Sequence, residues 1–287
     1  MKKDSTKYLV SLLLFGANGV VASFIALGSG QIVLLRSVLG SALLLTLFYI
    51  GGGRLSGLKN RRDVRLIALS GAAMAADWLF LYEAYTRIGV SLSILINYTG
   101  PALVIALSPL VLREKLTMRK LCALALALIG AVLISGRVVS GGMDVWGIAC
   151  AALSAVAYAV MVLSNKLTTE IKRSDNALLQ ILFTTAVVAV YSALRGSFAM
   201  NIAASDWLPI LLLGFVNTGL GCFFYFSSIG GLPAQTVAIC GYLEPMSAVL
   251  LSAIILGERM SPVQILGAAL ILAGAGIGEM RKRADSV

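Results

Sequence analysis

No histidine occurs anywhere in the sequence, and charge is scarce: Asp, Glu, Lys and Arg together make up 13% of the chain, about half their share in an ordinary soluble domain. Without histidine there is no Ser-His nucleophile pair and no H-E-x-x-H zinc helix. No G-x-x-x-x-G-K-[ST] loop is present, so nothing prepares an ATP phosphate site. The four cysteines, Cys122, Cys150, Cys222 and Cys240, fall singly inside apolar runs. They lack the spacing of a metal site or a disulfide framework and read as small packing residues. Neither a cofactor nor a metal is expected. Long polar linkers are missing too, since the longest connection, Gly51 to Arg65, has no room for a further domain.

What remains is apolar. Of the 287 residues, 59% are hydrophobic, which points to an integral membrane protein. The net charge of +10 sits in short basic clusters between apolar runs, so nucleic acid is not an expected partner. Ten candidate spans follow: 8–27, 31–50, 66–86, 90–112, 121–136, 145–165, 177–194, 207–229, 234–256 and 263–280. Most are near the roughly 20 residues a helix needs to cross the hydrocarbon, and 177–194 is short. The first is read as a membrane helix, because its apolar stretch outruns a signal-peptide core and no cleavage site follows it. Ten spans put both termini on one side. With the N-terminus inside, eighteen Lys and Arg lie in inside segments, four (Arg87, Arg137, Arg195 and Arg259) lie outside, and Arg36 lies within a span. That asymmetry places both termini in the cytoplasm.

One stretch organises the rest. Tyr242-Leu243-Glu244-Pro245 begins eight residues into the apolar run from Ala234. A carboxylate at mid-bilayer depth is unfavourable by roughly 2.5–3.5 kcal/mol on insertion scales and usually faces a bundle interior or a water-filled cavity. Pro245 has no N–H, which is expected to leave the carbonyl of Gly241 without its helical partner. Tyr98-Thr99-Gly100-Pro101 repeats the arrangement 144 residues earlier, and the shift continues ungapped through Ser108/Ser252, Leu112/Leu256, Glu114/Glu258, Ala125/Ala269 and Gly130/Gly274. This is read as an internal duplication. Glu114 falls inside and Glu258 outside, because each copy has five spans. The copies are then oppositely oriented, the inverted repeat found in many secondary transporters, whose substrate sites lie near mid-bilayer. Small residues at every fourth position, Gly147, Ala151, Ala155 and Ala159, and the glycines Gly274, Gly276 and Gly278, predict close helix packing.

The mid-span prolines and the signatures Leu112-Arg113-Glu114-Lys115-Leu116-Thr117 and Leu256-Gly257-Glu258-Arg259-Met260-Ser261 resemble the drug/metabolite transporter superfamily, in its EamA-type branch. The resemblance covers two EamA-like repeats, 8–136 and 145–280. It implies an all-α membrane protein of ten transmembrane helices in two inverted five-helix repeats. A central cavity would be lined by the first four helices of each repeat. It also implies export or exchange of small metabolites, including amino acids in some members.

Depth singles out two acids. Glu244 lies about 15 Å into its span at 1.5 Å per residue, and Asp77 is similarly deep. Each is a candidate for binding a proton, a cation or a substrate amine. The alternative for Asp77 is a structural pairing with Arg36 or with polar neighbours. Their shift partners are Gly221 for Asp77 and Gly100 for Glu244; an acid needed only for the fold would be expected in both copies. Tyr98, Tyr242, Asn97, Trp78, Tyr82 and Asn18, with Asn217, Thr218 and Tyr225, suit a cavity for amphipathic solutes, since Tyr and Trp pair a ring face with a polar tip. Interhelical hydrogen bonding or an interfacial belt would explain any one of them as well. Pro101 and Pro245 are read as helix breaks. Arg36 either snorkels or turns inward to meet an acid or a carboxylate. Glu83 is read as an interfacial partner of Arg87 at i+4, and Glu114 and Glu258, at span ends, as structural caps or interfacial pairs.

The expectation is a secondary transporter of small metabolites, possible substrates being amino acids or amines, working by alternating access with a proton as one candidate coupling ion. An uncoupled facilitator or channel and an intramembrane enzyme are the alternatives. A monomer in a bacterial inner membrane fits the compact chain.

Overall fold

The computed structural model describes residues 2–52, 55, 58–88, 93, 96–135, 144–171, 173–196, 198–255 and 261–279, and all regular structure among them is helical. Glu258, Arg259, Arg54, Arg137, Lys172 and Arg281 to Arg283, used in the sequence reading, lie outside the described residues.

The first span is two helices, α1 (Lys2–Gly16) and α2 (Asn18–Ala22), parted at Ala17. It ends five residues earlier than expected. The N–H of Ala26, where a helix would continue, is instead taken by the Asp206 carboxylate at 3.0 Å. Next come α3 (Ser29–Ile50), α4 (Arg61–Ile88), α5 (Thr99–Val111), α6 (Met118–Ser135), α7 (Val145–Lys166) and α8 (Arg173–Arg195). The span expected to be short is therefore 23 residues long. Its polar first turn is helical because Asn176 faces inward, donating to Asn165 at 2.8 Å and to the Phe226 carbonyl at 3.1 Å.

Residues 204–231 form one helical rod. Within it α9 (Trp207–Leu211) widens into a π-helical stretch, Leu212–Leu220, before α10 (Gly221–Ser228). Helices α11 (Ala234–Gly241), α12 (Leu243–Ile255) and α13 (Pro262–Glu279) complete the bundle. Among the described residues, six helical segments are long and apolar enough to cross a membrane. The core is apolar, yet Leu110, Leu194 and Ile254 are about four-fifths exposed, while Gln180 and Gln235 are fully buried. In hydrocarbon, polar side chains gain by turning inward and apolar ones lose nothing by facing lipid.

Element bounds recur at the shift seen in the sequence. Helices α5 and α12 are thirteen residues each and α6 and α13 eighteen each, each pair starting 144 residues apart. Contacts recur as well. A Cβ at Gly130 would meet the Gly267 carbonyl at 2.5 Å, and one at Gly274 would meet the Ala123 carbonyl at 2.7 Å. Positions 123 and 267, like 130 and 274, are shift partners, so α6 and α13 cross face to face at their glycines. Gly276 meets nothing within 4 Å, which corrects the expectation that it extends this surface. The small-residue face of α7 packs against α4 and α5: Gly147 closes on Arg87 and Ile88, and the Ala155 carbonyl lies against Gly100.

The prolines act differently from the expectation of one helix with a single orphaned carbonyl. Pro101 and Pro245 are each the third residue of a new helix, after a break at Tyr98 and at Tyr242. In a first turn the missing N–H is one that has no helical partner anyway.

Candidate functional site

A cavity of about 410 Å³ lies inside the bundle between α1, α2, α3, α4, α5, α7, α10 and α12. Helix α4 contributes Met74, Asp77, Trp78, Leu81, Tyr82 and Tyr85 to it, and this spacing is one face of an α-helix. Asp77 is buried and its Oδ1 accepts from Asn97 Nδ2 at 3.1 Å and from Ser154 Oγ at 2.5 Å. Asn97 also donates to Ser154 at 2.6 Å. Among the described residues no ion pair joins Asp77 to Arg36, so the polar-neighbour alternative describes Asp77 better than a salt bridge.

Glu244, the second residue of α12, lines the same cavity and its carboxylate has no hydrogen-bond partner among the described residues. Arg36 has turned inward: it is 4% exposed, its Nε donates to Thr218 Oγ1 at 2.9 Å, and its guanidinium lies 4.4 Å from the Trp78 ring centroid. The Thr218 hydroxyl donates in turn to the Leu213 carbonyl, five residues back, at 2.8 Å. The π-helical stretch thus orients the group that holds Arg36, and such stretches are frequent at functional sites.

Of the residues singled out in the sequence, Asn18, Asp77, Trp78, Tyr82, Asn97, Tyr98, Pro101, Tyr225 and Glu244 line the cavity. Tyr242 and Pro245 do not. Tyr242 is fully buried, its hydroxyl donating to the Tyr98 carbonyl at 2.7 Å with the two rings 5.9 Å apart. It ties one helix break to the other. Asn217 donates to Asn18 at 3.2 Å. Tyr85, Ser154 and Tyr158 were missed. The last two lie on the small-residue face of α7 (147, 151, 154, 155, 158), so the packing pattern carried a signal that was read only as packing. The lack of acids opposite Asp77 and Glu244 also has a steric reason. A Cβ at Gly221 would meet Phe15 at 2.6 Å, and one at Gly100 would meet the Ala155 carbonyl and Tyr158 at 3.0 Å. A carboxylate does not fit at either glycine, so symmetry breaking carries less functional weight than expected from the sequence.

The lining extends to Ala22 and Ser23 at the far end of α2. Toward the N-terminal end of α1 the bundle is closed. Tyr8 donates to the Val237 carbonyl at 2.6 Å, and Lys166 Nζ binds the carbonyls of Ile229 and Leu232. Glu114 does act as a cap, but of α11, accepting from the N–H groups of Ala234 at 2.7 Å and Gln235 at 3.3 Å. At the opposite end Glu83 pairs with Arg87 at 2.7 Å, and Arg87 also reaches Asp144 at 3.3 Å. The Gly147 N–H and then Arg87 hold the Asp144 carboxyl below the usual carboxylate range.

An apolar helical shell around a cavity that carries ionisable groups defines a membrane transporter. The chain belongs to the EamA-like transporter family, whose model matches residues 7–136 and 145–277. It is similar to the uncharacterized transporter YxxF of Bacillus subtilis, at 26% identity over 98% of this chain and 92% of that protein. It is also similar, at 31% identity over 87 residues and 30% of each chain, to the aromatic amino acid exporter YddG of Ancylobacter novellus. A solved crystal structure matches in fold with a TM-score of 0.82 over 97% of each chain at 17% identity. The protein is therefore a membrane transporter whose substrate is a small molecule.

Proposed function

We propose that the chain is a secondary transporter that exports or exchanges small metabolites, amines or amino acids among them, by alternating access. The observation that carries the reading is the gathering of Asp77, Glu244 and Arg36 around one mid-bundle cavity. Ionisable groups are expensive within a membrane and mark substrate and ion pathways. The named export activity of a relative favours the outward direction. Absence of a nucleotide-phosphate motif leaves an ion or substrate gradient as the energy source, and Glu244 or Asp77 as the group that binds the coupling proton or the substrate amine.

In this reading ten spans form two inverted repeats, 8–136 and 145–280, in a monomer with both termini cytoplasmic. The recurrence of helix bounds at one shift supports it, as do the contacts between shift partners, Tyr98 with Tyr242 and Ser41 with Thr185 at 2.8 Å. The cavity end near Ser23 then faces outside, and the Glu114–Lys166 end faces the cytoplasm. The sequence holds no histidine, so no Ser-His pair supports the enzyme alternative.

The test is uptake into proteoliposomes of purified protein. Saturable, gradient-driven uptake of an amine or amino acid supports the proposal. Non-saturable flux would favour a channel, and cysteines at Arg61 and Trp207 labelling from the same face would overturn the topology.

A further inference from the structure

The cavity holds two unpaired groups of opposite charge. Arg36 is more than nine-tenths buried and lines the cavity, with Nε spent on Thr218 and its plane against Trp78. Both terminal nitrogens are left without a protein acceptor among the described residues. Burying a guanidinium without an anion partner is unfavourable, and its planar fork matches a carboxylate through two parallel bonds. The Trp78 ring and the Thr218 hydroxyl set the direction of that fork. Glu244 presents a carboxylate with no donor, whereas Asp77 has Asn97 and Ser154. No ion pair among the described residues joins Arg36 to Glu244. An amine would satisfy the acid and leave the guanidinium unpaired; an acid would do the reverse.

We infer that the transported solute is a dipolar ion, with Arg36 binding its carboxylate and Glu244 its ammonium group. This deepens the transporter reading and rests on it. The remaining wall, with Phe15, Met74, Tyr82, Tyr158 and Phe226, takes an apolar or aromatic side chain. The competing role for Arg36 is charge balance for the two acids. That role would be indifferent to whether the solute carries a carboxylate.

The experiment uses two matched series in proteoliposomes: phenylalanine, phenethylamine and 3-phenylpropionate, and leucine, isoamylamine and 4-methylpentanoate. The expected result is that at least one amino acid is transported. Its amine and acid analogues should each have a kcat/KM at least about tenfold lower, because a site built to pair a charged group rejects the analogue lacking it. Arg36→Gln should abolish the preference for the amino acid over its amine, the two kcat/KM values becoming equal. Arg36→Lys, which keeps the charge without the fork, should fall between, and it serves if Arg36→Gln does not fold. Equal transport of amine and amino acid by the wild-type protein overturns the assignment but leaves the transporter reading standing. So does an unchanged preference in the Arg36 variant. Uptake of no member of either series also overturns it, and transport of some other solute would then keep the transporter reading alive separately.

Discussion

Replacing Glu114 by alanine removes a carboxylate that joins the connection between α5 and α6 to the start of α11. Glu114 lies between α5 and α6, and it accepts from the first N–H groups of α11 at 2.7 Å and 3.3 Å. Ala234 and Gln235 are fully buried, so water does not simply replace the lost acceptor. Each buried donor left unpaired costs about 1–3 kcal/mol, and the favourable placement of an anion at a helix N-terminus goes with it. The total for the two donors is about 2–6 kcal/mol. If transport proceeds by alternating access, as proposed, this end of the bundle opens, so that energy counts toward the closed state and is lost from it. The balance should therefore move toward opening by at least about 30-fold, at 1.4 kcal/mol per tenfold. Val237 lies between the cap and the cavity and is fully buried. In a background with the four native cysteines replaced by alanine, a cysteine at Val237 should react with an impermeant maleimide from the Lys166 face at least about 30-fold faster in Glu114→Ala. Glu114→Gln keeps one acceptor oxygen and should fall between. An unchanged labelling rate, with unchanged thermal stability, would refute the idea that the Glu114 cap holds this end of the bundle closed.

Tyr242→Phe strips the hydroxyl that joins the two helix breaks. It should lower stability by about 1–2 kcal/mol, the upper part of the range for hydrogen bonds between membrane helices. Tyr82→Phe, whose hydroxyl has no hydrogen-bond partner among the described residues, is the matched control in a thermal unfolding assay. Gly274→Val would drive a side chain into the Ala123 carbonyl, 2.7 Å from the Cβ alone. It should lose at least about 1–3 kcal/mol to overpacking, read as a fall in monodisperse yield, whereas Gly276→Val, facing open space, should not. Glu244→Gln keeps the shape and removes titration, so kcat/KM should fall as the ammonium loses its carboxylate, and the transport that remains should lose its pH dependence while the protein still folds. The groups around the cavity, Asp77, Arg36, Tyr85, Tyr98, Tyr158 and Tyr225, stay in place. A wild-type pH profile would move the coupling role to Asp77.

The sequence by itself determined the class and the plan. Long apolar runs with few charges specify membrane helices, because backbone polar groups in hydrocarbon must bond within their own segment. A shift of 144 residues marked the duplication, and the depth of Asp77, Glu244 and the helix-breaking prolines marked where the bundle departs from plain packing. Most residues chosen for depth and chemistry line one cavity, since a polar group that deep has few other places to turn. What only the tertiary structure decided is which partner each group meets. Tyr98 and Tyr242 are equivalent in sequence, yet one lines the cavity and the other is buried against it. Arg36 could snorkel or turn inward, and the choice rests on Thr218 and Trp78, 182 and 42 residues away in the chain. Ser154 and Tyr158 looked like part of a packing face until α4 and α5 were set against it. Period and depth are properties of one helix, whereas partners depend on the crossing of several, and that is fixed only when the whole bundle packs.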